Sequence, residues 1–160
     1  MKLTPEAVAA ERDWVRARAP VVVPLINRVR ANLGDVFDTE VGRVTEAQYR
    51  SEVDAVFADG DLAVNVAGVV VTLRELDVTG DYPGFVVDEI LGRTLAGMLA
   101  GTQPRGLLGE ATYHYADLLS HGDDGDAAGL DDLDAALAAG FQTRLPGWTW
   151  TERESPFSVR

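Results

Sequence analysis

From Val86 to Leu99 one apolar stripe dominates the chain, and any fold must bury it. Val86, Val87, Ile90, Leu91, Thr94, Leu95, Met98 and Leu99 keep an i, i+3, i+4 rhythm through about four turns, which predicts a long amphipathic helix at the centre of the core. Gly92, Ala96 and Ala100 form one row of small residues beside it, and Gly97 and Gly101 a second, so a neighbouring element can approach closely. Asp88, Glu89 and Arg93 interrupt the stripe and argue against a membrane-spanning helix.

Three helices are expected before this one. Thr4-Pro5-Glu6 supplies a hydroxyl cap, a proline at the first helical position and a first-turn acid, predicting a helix from about Pro5 to Ala19. Beyond Pro20 and Pro24, Leu25, Ile26, Val29 and Leu33 recur at helical spacing up to Gly34. Thr45 and Gln48 match a capping box ahead of Tyr49, Val53, Val56 and Phe57, and this helix should end near Gly60.

Alternation of Leu62, Val64 and Val66, followed by Val69 to Val71 after Ala67-Gly68, predicts a β-hairpin, closed by the turn formers from Thr79 to Gly84. After the central helix a further one is expected from about Gly106 to Ser120, with Leu107, Leu108, Ala111, Tyr115, Leu118 and Leu119 on its buried arc. Leu130, Leu133, Leu137 and Phe141 mark a last helix, and Trp148 and Trp150 share one face of a short C-terminal strand. The predicted class is therefore α+β and mainly helical: three N-terminal helices, a β-hairpin, a long central core helix, two further helices and a terminal strand. Its 160 residues suit a single domain, with about 1–3 and 155–160 as mobile ends.

Composition removes whole classes of chemistry. The chain has no cysteine, which excludes disulfides, thiolate nucleophiles and cysteine-ligated metals. Of 14 basic residues only Lys2 is a lysine, so Schiff-base and phosphate-loop lysines have no well-placed candidate. No serine lies in a G-x-S-x-G context and no glycine loop of a nucleotide-binding type occurs. Without a basic and apolar leader or a run of about 20 apolar residues, the expected location is the cytoplasm.

Charge is unevenly distributed. Residues 1–50 hold eight basic and seven acidic side chains, while residues 51–160 hold six and nineteen. Such a field disfavours nucleic-acid backbones and anionic membranes and suits a protein partner with a basic surface. The primary expectation is accordingly a non-enzymatic acidic protein-binding module, of the immunity-protein, antitoxin or chaperone kind. Its contacts would be Asp123, Asp124 and Asp126 in the loop HGDDGDAAG, with Trp148 and Trp150 as aromatic anchors, although core packing is the favoured use of at least one tryptophan. That loop matches the first, third and sixth positions of a calcium loop but has Ala135 where the bidentate acid belongs.

The alternative function is metal binding or metal-dependent catalysis. Glu110, His114, Asp117 and His121 stand four, three and four residues apart and fall within roughly a 60° sector of one helix. Imidazole and carboxylate are ligands for divalent metals, but His114 and His121 are two turns apart, so one ion needs His114 with Glu110 or Asp117 and ligands from elsewhere. No bound cofactor is expected otherwise. Arg12, Arg16, Arg28 and Arg30 offer a basic strip on the first two helices, with Glu11, Asp13 and Asp35 among them to pair it.

Overall fold

Thr4 caps the first helix through its hydroxyl, which accepts from Ala7 N at 3.2 Å, and α1 runs Pro5–Ala17. The computed structural model describes residues 2–120 and 129–148, and among these there is no β-strand. The order continues α2 Ala19–Phe37, α3 Glu46–Ala58, α4 Gly60–Glu75, α5 Asp81–Phe85, a π-helical stretch Val86–Gly92, α6 Arg93–Ala100, α7 Arg105–Ser120 and α8 Leu130–Arg144. The expected α+β class is thus corrected to all-α.

The β-hairpin does not form; its residues are α4. Ala63, Val66, Ala67, Val70 and Leu73 are buried at helical spacing, whereas Val64, essential to the alternating pattern, is 42% exposed. Valine loses a few tenths of a kcal/mol in a helix through its stiff χ1, but burying each one fully returns about 1.5–3 kcal/mol. Asp59 accepts from Leu62 N at 3.2 Å, so the Asp59-Gly60 pair read as the end of α3 is also the start of α4. The capping box of α3 is present in both directions, Thr45 N to Gln48 Oε1 at 2.9 Å and Gln48 N to Thr45 Oγ1 at 3.2 Å. In α2 the helix begins at Ala19 and passes through Pro24, burying Val22 and Val23.

The central helix is also different from the expected one. α5, the π stretch and α6 follow one another without a break from Asp81 to Ala100, but the element at the centre is α8, buried at every position from Asp132 to Thr143. A helix buried all round needs small residues for close approach and partners for its polar ones. Ala135, Ala136, Ala138, Ala139 and Gly140 supply the first: a Cβ on Gly140 would stand 2.6 Å from Leu99 Cβ. On α7, a Cβ on Gly109 would stand 2.7 Å from Ala100 Cβ and 2.8 Å from Ala96 O, the same carbonyl that Gly140 approaches. The small-residue row of α6 is therefore the seam against which α7 and α8 close.

Buried polar groups of α8 are satisfied. Asp134 receives both ends of the Arg18 guanidinium at 3.0 and 2.5 Å, and Thr143 donates to Gly140 O at 2.8 Å. Arg30, 1% exposed, donates to Gln142 O, Leu145 O, Pro146 O and Gly42 O at 2.6–2.9 Å, closing the C-terminal end of α8. Trp148 is 6% exposed, and its indole N–H donates to Gln142 O and Oε1. Residues 145–148 form no strand; Trp150 and the rest of the expected terminal strand lie outside the described residues, as do Met1 and 155–160.

No single helix among the described residues is long and apolar enough to cross a membrane. α3 and α4 reach that length only together, bent by 112°, and they bury Tyr49, Val53, Val56, Val66 and Val70 in the core.

Candidate metal centre

The face that α7 turns inward is not its leucine arc. Gly106, Gly109, Thr112, Tyr113, Ala116 and Asp117 are buried, while Leu107 is 60% and Leu118 75% exposed. Close packing decides this rotation: the glycines let α7 approach α6, and larger side chains at those positions would overlap backbone. The consequence is that Asp117 enters the interior and His114 lies beside it toward the π stretch.

Three carboxylates converge there from three elements. Asp88 on the π stretch, Asp117 on α7 and Asp132 on α8 bring ligand oxygens within 4.8 Å of one another. Asp132 takes hydrogen bonds from two neutral donors, the Tyr113 hydroxyl at 3.2 Å and Gly129 N at 3.1 Å. Asp88 also lies within hydrogen-bonding reach of Tyr113, while its buried Oδ1 accepts no hydrogen bond from the described residues. Burial first, then the charges of Asp132, Asp117 and Asp88, push the Tyr113 pKa far above the ordinary phenol range, so this hydroxyl is a fixed donor.

Carboxylates this close repel one another by roughly 3–4 kcal/mol per pair at an effective dielectric of about 20. A divalent cation turns that repulsion into attraction, and an all-oxygen set suits magnesium, manganese or calcium. The buried Oδ1 of Asp88, which has no donor among the described residues, is the kind of lone pair such an ion takes up. The residues therefore fit a hard divalent ion.

The π stretch explains why Asp88 and Glu89 both belong to this region. Consecutive residues of an α-helix diverge by about 100°, but the wider i→i+5 turn brings both toward α7. Glu89 Oε1 stands 3.6 Å from His114 Nδ1, and these two with Asp88 form a second group whose ligand atoms lie within 4.8 Å.

Of the four residues expected to bind metal, the structure brings His114 and Asp117 to this region. Glu110 points elsewhere, its side chain lying over Gly97 on α6. His121 lies outside the described residues, as do Asp123, Asp124 and Asp126. Asp88, Glu89, Tyr113 and Asp132 were not found from sequence, although acids interrupting the strongest apolar stripe were a usable signal. The four arginines do not make a strip: Arg12 pairs with Asp13, Arg16 with Asp54, Arg28 donates to Leu119 O, and Arg30 is interior.

The fold and this site define an all-α domain with a carboxylate-lined centre between its last two helices and the π stretch. The chain belongs to the family described as a domain of unknown function, DUF7984, whose model matches residues 1–160. No curated protein and no solved structure gave a match.

Proposed function

We propose that this chain is a divalent-cation-binding domain whose centre is Asp88, Asp117 and Asp132, held in place by Tyr113. One observation carries the reading: three carboxylates from three separate elements meet within 4.8 Å, with Asp117 9% and Asp132 3% exposed. Interior acids are rarely gathered this way unless a cation compensates them. The test is metal analysis of untagged, chelator-stripped full-length protein titrated with magnesium, manganese and calcium chlorides. Stoichiometric binding that is lost in Asp132→Asn and Asp117→Asn supports the reading. Absence of binding at millimolar cation, or binding unchanged in both variants, removes it.

A second reading, an acidic module that engages a basic protein partner, is supported by the nineteen acidic and six basic side chains after residue 50. It predicts a complex that weakens steeply with salt and on neutralising Asp123, Asp124 and Asp126; salt-insensitive association would count against it. The two readings are compatible on one chain. A cytoplasmic location is part of this proposal.

A further inference from the structure

Asp88 is a member of two donor groups at once: one with Asp117 and Asp132, the other with Glu89 and His114. We propose that the centre holds two divalent cations with the Asp88 carboxylate between them, an inner ion against Asp117 and Asp132 and an outer ion against Glu89 and His114. The inner position rests on the reading given under Proposed function; the outer one is an additional site.

Three features support the outer ion. The 3.6 Å between His114 Nδ1 and Glu89 Oε1 is ion-pair distance, longer than a hydrogen bond and only slightly longer than the spacing of two ligands on one ion. Ligand atoms each about 2.1 Å from a metal stand roughly 3.0–3.5 Å apart. The second feature is that Asp88 belongs to both donor groups and carries two carboxylate oxygens, so one can face the inner ion and the other the outer. The third is charge: the four carboxylates of Asp88, Glu89, Asp117 and Asp132 balance two divalent cations, and a ligating histidine is neutral.

The two positions differ in chemistry. The inner one is all oxygen and closed by α8. The outer one has an imidazole, which shifts preference toward manganese or zinc over magnesium and calcium. Its side chains are 45% exposed for His114 and 30% for Glu89, so coordination positions there remain open to water and to an incoming oxygen ligand. The outer ion is therefore the exchangeable one.

Manganese chloride titrated into chelator-stripped full-length protein tests this, read by metal-to-protein ratio after equilibrium dialysis and by electron paramagnetic resonance. The expected result is two manganese ions per chain with the spectrum of an exchange-coupled pair. His114→Ala and Glu89→Gln, both at partly exposed positions, should leave one ion, abolish the coupling and keep the helical circular dichroism unchanged. The outer site's affinity should fall at least tenfold. A single ion in the unmodified protein, kept in His114→Ala and lost in Asp132→Asn, overturns the paired centre and leaves the inner site standing. Two ions retained in His114→Ala also overturn it, and binding of none overturns both readings.

Discussion

The Tyr113 hydroxyl occupies the space that a side chain on Gly92 would need: a Cβ there would overlap the oxygen and stand 2.6 Å from Tyr113 Cζ. Glycine at this point of the π stretch thus lets a phenol from α7 reach the Asp132 carboxylate. Alanine is the better helix former by about 1 kcal/mol, but overpacking a fixed ring costs about 1–3 kcal/mol. Gly92→Ala should therefore lower stability in urea unfolding despite the propensity gain. Gly84→Ala, where a Cβ meets nothing within 4 Å, should raise it by up to about 1 kcal/mol. Equal shifts of the same sign would refute the packing argument.

If the centre binds a cation in the folded state alone, stability must depend on cation concentration. At a free concentration about 100 times the dissociation constant, linkage adds about 2.7 kcal/mol. Thermal midpoints of the unmodified protein should rise with manganese and fall with chelator. Asp132→Asn should respond less to both, by the share of the inner ion, and, with chelator present, be no less stable than the unmodified protein by more than about 1 kcal/mol, since it relieves like-charge repulsion while keeping one acceptor for the Tyr113 hydroxyl. An equal manganese response in the two proteins would exclude Asp132 as a ligand.

Asp134 gives a pH dependence of defined sign. Burial raises its pKa above the ordinary aspartate value, and the Arg18 guanidinium opposes that shift without cancelling it. Between the ordinary and the raised value, the folded protein holds a proton that the unfolded chain has released. The stability contributed by this group is therefore greatest below the ordinary aspartate pKa and declines as pH rises through that window. Comparing urea midpoints with Asp134→Asn isolates the effect. The advantage of the unmodified protein over the variant should shrink from about pH 3.5 upward, and an advantage that grows would mean that Arg18 outweighs burial.

Local signals and global packing were unequally legible in the sequence. The hydroxyl caps at Thr4 and Thr45 act within one helical turn, and short-range hydrogen bonding can be read from neighbouring residues. Strand or helix for Leu62 to Val71 depended on which residues the rest of the chain covers, and tertiary burial overrode the β preference of valine. The same competition hid the site. The leucines point to one orientation of α7, whereas the glycines set another in the fold, so Asp117, outside the expected buried arc, is interior and Leu107 and Leu118, within that arc, are exposed. His114 and Asp117 could be named from spacing along one helix, but Asp88 and Asp132 join them only through tertiary contact.

That inverted face can be tested by substitution. Leu118→Ser should change stability by less than about 0.5 kcal/mol, because Leu118 is 75% exposed. Leu133→Ala, at a fully buried position on α8, should cost about 2–5 kcal/mol. A large loss at Leu118 in dilute monomeric protein would restore the leucine arc to the core.

Arg30 is a buried cation whose described hydrogen bonds go to backbone carbonyls alone. Burial lowers its pKa to about 10, which registers the cost of placing a guanidinium there. The compensation is geometric: a planar fork serves four acceptors at the end of α8, and the Trp148 ring lies 5.6 Å from its central carbon. Gly147, at φ +112°, brings the chain so close that a Cβ would stand 2.9 Å from Arg30 Nη1. Lysine retains the charge but cannot span four carbonyls, while methionine fills the space and removes the Arg30 donors, so that Gln142 O keeps the Trp148 indole N–H and Gly42 O, Leu145 O and Pro146 O lose their Arg30 bonds. Each buried unpaired acceptor costs about 1–3 kcal/mol. Arg30→Lys should thus lose about 1–2 kcal/mol and Arg30→Met more than about 3 kcal/mol in urea unfolding. A methionine variant as stable as the lysine one would show that the carbonyls find water instead, and that Arg30 does not hold the end of α8.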